Sequence, residues 1–299
     1  MVLGNVARFP WVIVGCGYTG QQLARRLVEA GASVIGVRRS IEQLKSLGEE
    51  LGTRFTIRRA VPAPQLLSAD WLPEQSIVVD SVPPSGEGNR AYGDYERELV
   101  ATVVRSRVRS AVYLSSTGVY PGGKGEWFDE TTMAAPLSTR GAARLACETA
   151  FREAAQEDGL AATVLRIPGI YGPNRGIFSR LQSGTFRLIG DGTTHVSRIH
   201  VHDLTSAIIA AGLAADGSNI FTVADDEPCP SGTIVEAAIA EFGLPVPARV
   251  SVSDVSADIA AMVTANRKIS NRSMKAILQV VLKYPTWREG MRSVVKRLC

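Results

Sequence analysis

The stretch Trp11-Val-Ile-Val-Gly15-Cys-Gly17-Tyr-Thr-Gly20 decides the fold of this chain. An apolar run of strand length enters a Gly-x-Gly-x-x-Gly turn, a helical pattern covers residues 21–30, and a second apolar run, Ser33-Val-Ile-Gly-Val37, follows. A glycine turn between a strand and a helix is typical of a βαβ unit that binds the pyrophosphate of a dinucleotide. The sequence therefore predicts such a unit here, and a tight turn with no ligand is the alternative interpretation.

Each glycine of the turn has an expected role. Gly15 permits the tight turn, Gly17 leaves the backbone open to a pyrophosphate, and Gly20 lets the helix pack close to the strand. Tyr18 and Thr19 lie at the helix start, where free N–H groups and the positive end of the helix dipole favour phosphate. We expect all five residues to belong to a coenzyme site.

The residues after the second strand indicate which coenzyme binds. An acidic residue about 20 positions beyond the glycines would bind the ribose 2′-hydroxyl of NAD, but this chain has Arg38, Arg39 and Ser40 there. Guanidinium groups suit a 2′-phosphate, because they bind it through paired, planar hydrogen bonds. We therefore predict a preference for NADP(H), with NAD(H) possible. The alternative is that these arginines only solvate a loop.

The composition is that of an ordinary globular protein, with 45% hydrophobic and 21% charged residues among 299 and a formal net charge of +4. The positive charge is spread along the chain, so we predict no nucleic-acid partner. No apolar run approaches a membrane span of about 18 residues, so we predict no membrane partner either. Cys16, Cys147, Cys229 and Cys299 show no metal-ligand spacing, and we expect reduced thiols, no metal and a cytoplasmic setting. Cys16 is either a small filler residue or a redox-sensitive thiol.

Apolar runs of strand length alternate with helical patterns along most of the chain. This alternation predicts an α/β fold, a doubly wound and mostly parallel Rossmann sheet of about seven strands. We assign a dinucleotide-binding domain to residues 1–173 and 196–224, and a smaller, mainly helical substrate lobe to 174–195 and 225–299. The predicted strands are 11–15, 33–37, 54–58, 76–80, 111–115, 162–166 and 219–223, and the clearest helices between them are 95–108, 142–156 and 204–214.

Several motifs follow directly after predicted strands. Besides the glycine turn, they are Pro83 and the segments 115–120 and 168–173. Because the carboxyl ends of parallel strands meet at one edge of a sheet, and ligands bind there, we expect Pro83, Ser115 and Pro168 to contribute to the coenzyme site.

Five further segments carry a recognisable pattern in a fixed order. They are Val112-Tyr-Leu-Ser-Ser-Thr-Gly-Val-Tyr120, Asp129-Glu130 with Pro136, Leu165-Arg-Ile-Pro-Gly-Ile-Tyr-Gly-Pro173, Ile199-His-Val-His-Asp203 and Tyr284-Pro-Thr-Trp-Arg-Glu-Gly290. Together with the glycine turn, they resemble the extended short-chain dehydrogenases/reductases, which include the NAD-dependent epimerases and dehydratases. The resemblance covers nearly the whole chain. It implies a nicotinamide coenzyme, a small-molecule substrate, and a monomer or a homodimer joined through helices 95–108 and 142–156.

The catalytic pair of that family, Tyr-x-x-x-Lys on the helix after the fifth-strand loop, is missing from the corresponding helix of this chain. Aligning the catalytic helix on Arg144-Leu-Ala-Cys-Glu148 puts Arg144 at the lysine position and Arg140 at the tyrosine position. No tyrosine occurs between Tyr120 and Tyr171. A guanidinium, whose pKa is above about 12, does not exchange a proton near neutral pH. The chain therefore resembles the atypical members of the extended family, which keep the coenzyme fold.

The resemblance also implies residues that act on the substrate. Ser116 matches the family serine that hydrogen-bonds a substrate carbonyl or hydroxyl; otherwise it simply closes a strand. Arg140 and Arg144 are four residues apart and share a helix face. We expect them either to hold a substrate carboxylate or phosphate, or to form a solvated face that pairs with Glu148.

The proton donor is open at this stage. Tyr120 and Tyr171 are the nearest tyrosines in the motifs and are candidates for the missing acid, although loop tyrosines more often pack with their hydroxyl satisfied. His195 lies in a polar loop of the predicted lobe and is a candidate substrate contact. His200 and His202 lie in a strand-to-helix segment, which is more typical of structural histidines.

These observations favour an NADP(H)-binding small-molecule oxidoreductase, which transfers a hydride to or from an oxygenated substrate, with an anionic substrate as one option. A nucleotide-sugar epimerase or dehydratase is one alternative. Such enzymes usually carry a diphosphate-binding arginine three residues before the segment that begins at Ile199. This chain has Val196 at that position, and Arg198 lies nearer to the segment, which weakens that alternative. A non-catalytic NADP(H) sensor or partner-binding protein is the other. The missing tyrosine favours the sensor, whereas the intact segments 115–120 and 168–173 favour an enzyme.

Overall fold

The computed structural model describes residues 2–59, 71–84, 91–214 and 218–295, so Cys299 lies outside the described residues. The strands are β1 (Trp11–Val14), β2 (Val34–Arg38), β3 (Phe55–Arg59), β4 (Ile77–Asp80), β5 (Ser110–Ser116), β6 (Trp127–Phe128), β7 (Ala162–Ile167), β8 (Gly169–Tyr171), β9 (Arg187–Ile189), β10 (His195–Val196), β11 (Arg198–His200), β12 (Ser218–Thr222), β13 (Cys229–Pro230), β14 (Ala248–Val250) and β15 (Lys268–Ile269). The α-helices are α1 (Tyr18–Glu29), α2 (Glu42–Leu51), α3 (Asp94–Arg105), α4 (Thr139–Glu157), α5 (Ile177–Gln182), α6 (Val201–Leu213), α7 (Ser231–Phe242), α8 (Ala257–Val263), α9 (Arg272–Ala276) and α10 (Trp287–Val294).

Seven strands form one central sheet in the order β12-β7-β5-β4-β1-β2-β3. β1 pairs in parallel with β2 on one side and with β4 on the other, so the strand order reverses beside the glycine turn. In open parallel sheets, this switch point is where ligands bind. The sheet confirms the predicted doubly wound, mostly parallel α/β fold, and every predicted strand run overlaps one of its strands.

The sequence pattern of the sheet follows from its burial. Every residue of β1 and of β4 is buried, so these strands are continuous apolar runs rather than alternating ones, with Asp80 at the end of β4 as the polar exception. The helices beside the sheet are amphipathic instead. In α1 the buried residues recur at helical spacing, and they are Gly20, Leu23, Ala24 and Leu27.

The chain divides into two compact units. The first comprises Met1–Ser115, Ala143–Leu165 and Thr205–Ile220, and the second comprises Ser116–Ala142, Arg166–Leu204 and Phe221–Cys299. The core of the first unit lies between the sheet and helices α3 and α4, where the rings of Tyr113 and Phe151 stack with centroids 5.4 Å apart. The domain boundaries expected from the sequence remain predictions, because packing units do not identify which part binds which ligand.

The second unit combines helices with short strand pairs. In it, β8 pairs in parallel with β11, β9 with β14 and β6 with β15, whereas β10 and β13 are antiparallel. Its apolar core gathers α5, α7 and α10 around Tyr171, Phe178 and Trp287. Ser116 and the later sequence signatures 199–203 and 284–290 belong to this second unit.

Candidate functional site

The glycines of the turn after β1 lack a side chain for different reasons. Gly15 has a φ of +79°, in the left-handed region, and a Cβ there would lie 3.0 Å from the backbone that follows β4. A Cβ on Gly20 would lie 2.9 Å from Cγ2 of Ile13, so α1 approaches β1 closely because this residue is a glycine. At Gly17 the nearest atom to a Cβ would be 3.7 Å away. The protein itself therefore does not require a glycine at position 17, whereas a closely bound phosphate would.

The start of α1 has the properties of an anion site. α1 begins at Tyr18, with Thr19 in its first turn, and its N-cap residue Gly17 provides no side-chain cap. The first turn contains no acidic residue. Helix N-termini direct N–H groups and a partial positive charge outward, so the turn and the helix start together fit a pyrophosphate.

Arg38 lies beside this turn. It ends β2, it is half-buried, and its Nη1 atom donates to the carbonyl oxygen of Cys16 at 3.2 Å, whereas Arg39 and Ser40 are exposed. Burial raises the pKa of the Cys16 thiol to about 12, against the charges of Arg38 and Arg25. Cys16 is therefore a protonated filler residue rather than a reactive thiolate.

The segment after β4 rests on the glycine turn. The Ser81 hydroxyl donates to the carbonyl oxygen of Gly15 at 2.7 Å, and the Ser81 N–H donates to the carbonyl oxygen of Val14 at 2.9 Å. Pro83 is exposed two residues further along. Pro168, the other predicted proline, is half-buried between β7 and β8 in the second unit.

Ser115 and Ser116 are neighbours at the end of β5 but have different partners. Ser115 is buried, and its hydroxyl donates to Oε2 of Glu148 at 2.6 Å, so it ties β5 to α4. Ser116 is half-exposed, and its Oγ accepts the N–H of Gly118 at 3.0 Å, which caps the 3₁₀ turn Thr117–Val119. That bond uses an oxygen lone pair, so the hydroxyl hydrogen of Ser116 stays available for a ligand.

Arg140 is an exposed cation near Ser116. It lies in the first turn of α4, and within the described residues its side chain forms no hydrogen bond or ion pair. A Cβ on Gly141 would collide with the carbonyl oxygen of Gly118, so the start of α4 contacts the Ser116 turn backbone to backbone. Ser116 and Arg140 therefore stand on touching segments of the second unit.

Arg144, one helical turn later, is bound to the protein itself. Its Nη1 atom lies 3.2 Å from the carbonyl oxygen of Val82, 3.1 Å from that of Leu114 and 3.0 Å from the hydroxyl of Tyr113. The guanidinium carbon also lies 5.6 Å from the centroid of the Tyr113 ring. The structure therefore does not make Arg140 and Arg144 a free pair of cations.

A family comparison agrees with this geometry. The family model described as "NAD dependent epimerase/dehydratase family" matches residues 11–224. The chain belongs to this family. The matched residues contain the glycine turn, Ser116 and the helix with Arg140 and Arg144. The chain is thus related to nicotinamide-dependent oxidoreductases and epimerases, as the sequence motifs predict.

Three relatives illustrate the family. A 2-alkyl-3-oxoalkanoate reductase of Stenotrophomonas maltophilia (strain K279a) is 28% identical over 258 residues, which are 77% of this chain and 74% of that protein. A functionally unknown conserved protein from Silicibacter pomeroyi DSS has a structure with a TM-score of 0.81 and 30% identity, covering 96% of this chain and 98% of that one. UDP-glucuronic acid 4-epimerase from Bacillus cereus in complex with NAD gives a TM-score of 0.76 at 17% identity, covering 96% and 97% of the two chains, and that likeness shows the fold alone.

The two motif tyrosines of this member of the epimerase/dehydratase family, Tyr120 and Tyr171, are both buried. The hydroxyl of Tyr120, a buried residue, donates to the carbonyl oxygen of Asp129 at 2.7 Å and accepts from Nη1 of Arg166 at 3.1 Å. Tyr171 is buried too, and its hydroxyl has no hydrogen-bond partner within the described residues. Burial raises the pKa of the Tyr171 phenol. Tyr120 therefore matches the interpretation of a packed tyrosine with a satisfied hydroxyl, whereas Tyr171 is packed with its hydroxyl unsatisfied within the described residues.

The histidines are held by their surroundings. The N–H of His195 donates to Oδ1 of Asn266 at 2.8 Å, and its ring Nδ1 lies 3.3 Å from the same oxygen. His200 is buried, with ring centroids of Tyr171 at 5.3 Å and Tyr284 at 4.1 Å. Burial lowers the pKa of His200 to about 4, so it is a neutral structural residue near pH 7.

The two late sequence signatures meet around Asp203. Its buried carboxylate accepts the N–H groups of Lys283 at 2.8 Å and Tyr284 at 2.9 Å. His202 lies beside it, with Nδ1 at 3.3 Å from Oδ1 of Asp203. These signatures therefore hold the second unit together, which is a structural role.

Arg198 is unsuited to a phosphate on the surface. It is 7% exposed, and its Nη1 atom donates to the carbonyl oxygen of Val196 at 3.0 Å. This chain therefore has Val196 at the position where nucleotide-sugar enzymes carry their arginine. The nearby Arg198 donates its hydrogen bond to the protein backbone.

Sequence reasoning missed Asp80, a buried carboxyl at the end of β4 in the first unit. Its Oδ1 accepts the N–H of Val82 at 3.0 Å, and its Oδ2 has no hydrogen-bond partner within the described residues. Burial raises the pKa of Asp80 to about 8, and the charge of Glu96 adds to the rise while the Val82 N–H and Arg144 oppose it. The available signal was an acidic residue closing the otherwise apolar run 76–80.

The described ranges also bear on metal binding and membrane insertion. No group of three or more His, Cys, Asp and Glu residues in those ranges is placed to hold a metal ion. None of the helices described there has the length and apolar character that a membrane crossing needs.

Proposed function

We propose that this chain is an NADP(H)-dependent oxidoreductase that acts on a small carbonyl or hydroxyl compound carrying a carboxylate, of the 3-oxo acid class. One observation carries the proposal: the guanidinium of Arg140, exposed and without an ion pair in the described chain, on a segment that touches the Ser116 turn. A cation without a counter-ion near an available hydroxyl suits a substrate with an anion close to its reacting oxygen.

The first unit would hold the coenzyme. Gly15, Gly17 and the start of α1 would bind its pyrophosphate, and Arg38 with Arg39 would bind the 2′-phosphate. When bound, NADP(H) supplies or accepts a hydride. Support for the phosphorylated form comes from Arg38, which lies beside the glycine turn. NAD-specific chains have a carboxylate near this position at the end of the second strand.

The second unit would hold the substrate. By its name, the Stenotrophomonas relative acts on a compound with a ketone and a carboxylate. In this chain the Ser116 hydroxyl would donate to the ketone oxygen and Arg140 would bind the carboxylate. In the direction of reduction, the carbonyl carbon gains a hydride and its oxygen gains a proton. Water would supply that proton, because the Tyr120 hydroxyl is engaged with Asp129.

The alternatives have weaker support. The burial of Arg198 and the valine at position 196 speak against a nucleotide-sugar epimerase. A Tyr120 hydroxyl that is bonded to Asp129 is also compatible with a non-catalytic coenzyme sensor, so turnover must be tested directly. We also propose the cytoplasmic setting expected from the cysteines, since Cys16, Cys147 and Cys229 are free, buried thiols.

The experiment is steady-state kinetics with purified protein, NADPH, and 3-oxo acids paired with their methyl esters. We expect NADPH oxidation with a KM at least about 10-fold lower for the acid than for the ester. Arg140→Gln should remove this difference, whereas the control Arg152→Gln, exposed on the same helix, should keep it. Equal kinetics for acid and ester would overturn the anionic substrate. Conversion of UDP-sugars alone would favour the epimerase, and NADPH binding without oxidation of any carbonyl compound would favour the sensor.

A further inference from the structure

The peptide groups around Val82 are fixed by two side chains of the first unit. The N–H of Val82 donates to Oδ1 of Asp80 at 3.0 Å, and its carbonyl oxygen accepts from Nη1 of Arg144 at 3.2 Å. Both polar groups of this one residue are thus bonded to side chains rather than to a neighbouring strand. A backbone segment held in this way has little freedom to shift.

The same guanidinium also fixes the end of β5. It donates to the carbonyl oxygen of Leu114 at 3.1 Å and to the hydroxyl of Tyr113 at 3.0 Å. Arg144 therefore joins the segment after β4 to the last residues of β5. β4 and β5 are paired neighbours in the sheet, so these two strand ends lie side by side. Its charge lies near the buried carboxyl of Asp80.

The segment held by Arg144 forms one wall of the glycine turn. A Cβ on Gly15 would lie 3.0 Å from the carbonyl carbon of Ser81 and from the nitrogen of Val82. The Ser81 hydroxyl donates to the Gly15 carbonyl oxygen at 2.7 Å. A displacement of Val82 would therefore be transmitted to the turn that we propose holds the pyrophosphate.

We infer that Arg144 is a positioning residue for the coenzyme, which acts through Val82 on the glycine turn and not through contact with the substrate. This inference rests on the proposed coenzyme binding. Arg144 stands at the family's lysine position, yet the acceptors of its Nη1 atom are protein atoms at two strand ends. It differs from Arg140, whose side chain forms neither a hydrogen bond nor an ion pair in the described chain. Arg144 would therefore act on coenzyme binding, whereas Arg140 would bind the substrate.

The inference predicts how coenzyme affinity responds to substitution. Arg144→Met should weaken NADPH and NADH by the same factor, roughly 10- to 100-fold, because a misplaced turn affects the pyrophosphate that both coenzymes share. Arg144→Lys, which keeps a cationic donor, should recover most of the affinity. The control Arg152→Met, exposed on the same helix, should bind both coenzymes as the wild type does.

The measurement is a dissociation constant for each coenzyme by calorimetry, with a thermal melt to show that each variant is folded. Wild-type affinity in folded Arg144→Met would overturn the inference, and so would a loss of turnover with unchanged coenzyme affinity. If Arg144→Met does not fold, Arg144→Gln, which keeps two N–H donors on a shorter side chain, carries the same test. A wild type that binds neither coenzyme would instead refute the proposed function.

Discussion

The Nη1 atom of Arg38 donates a hydrogen bond to the carbonyl oxygen of Cys16 at 3.2 Å. Cys16 lies between Gly15 and Gly17 in the glycine turn, so the bond sets the guanidinium at the end of β2 against the region predicted to bind the coenzyme. The two coenzymes differ at the ribose 2′ position, which carries a phosphate in NADP(H) and a hydroxyl in NAD(H). A cation at the end of β2 is placed to distinguish them.

Replacing Arg38 should separate the two coenzymes. Arg38→Ala is expected to weaken NADPH roughly 10- to 100-fold, because a charge-assisted hydrogen-bond donor to the 2′-phosphate is lost. NADH should weaken far less, and the exposed Arg39, replaced by alanine, should give a smaller effect. Fluorescence titration with both coenzymes checks this, and equal losses for NADPH and NADH would refute the role of Arg38.

The neighbouring serines should respond differently to alanine. Ser116→Ala is expected to lower kcat roughly 100-fold while leaving NADPH affinity unchanged, because its hydroxyl would stabilise the reacting oxygen. Ser115→Ala should instead lower the free energy of unfolding by about 1–3 kcal/mol, since it leaves the buried Glu148 without its 2.6 Å partner. Turnover assays and urea unfolding distinguish them. An unchanged kcat in Ser116→Ala would remove this serine from the mechanism.

The two motif tyrosines should differ in stability, not in catalysis. Tyr120→Phe removes a hydroxyl that is bonded to Asp129 and Arg166, and should cost about 1–2 kcal/mol of unfolding free energy. Tyr171→Phe removes a buried hydroxyl with no partner in the described chain, and should be neutral or stabilising. Denaturant unfolding measures both. If Tyr120→Phe abolished turnover in a fully stable protein, Tyr120 would be the proton donor after all.

The pKa of Asp80 predicts a pH dependence of stability. Burial raises this pKa from 3.8 to about 8, so the folded protein binds the proton more tightly than the unfolded chain does. The contribution to the free energy of unfolding is therefore complete below about pH 4 and is lost as the pH rises through 8. Glu96, whose pKa burial also raises, acts in the same sense, whereas Arg144, the Val82 N–H and Tyr95 each oppose the rise of the Asp80 pKa.

Asp80→Asn tests this dependence, because asparagine resembles the protonated carboxyl in shape. The variant should lose less stability than the wild type between pH 5 and pH 8, with a difference on the order of a few kcal/mol. Urea unfolding across that range provides the measurement. Parallel pH curves for the two proteins would show that Asp80 keeps an ordinary pKa.

The fold was predictable because its signal is local and repeated. Strands such as Trp11–Val14 and Ile77–Asp80 are buried on both faces and therefore read as apolar runs, and the helices between them carry their own period. The differences are at element ends. α4, for example, begins at Thr139 rather than at the predicted residue 142, because the polar first turn does not belong to the apolar pattern.

The chemistry of the site was less predictable, because it depends on contacts between distant segments. Helical spacing places Arg140 and Arg144 one turn apart on the same helix, but only the structure shows that Arg144 hydrogen-bonds to Val82 and Leu114. In the same way, the sequence places Tyr120 four residues after Ser116 but cannot show that its hydroxyl is bound to Asp129. The burial of Asp80 likewise follows from its position in the sheet rather than from its neighbours in sequence.

The decisive measurement of coenzyme preference is calorimetric titration of the wild-type protein with NADPH and with NADH at one ionic strength. Both coenzymes should bind, and NADPH should bind at least about 10-fold more tightly through the added contacts of the 2′-phosphate with Arg38. Binding of neither coenzyme, or tighter binding of NADH, would contradict this prediction.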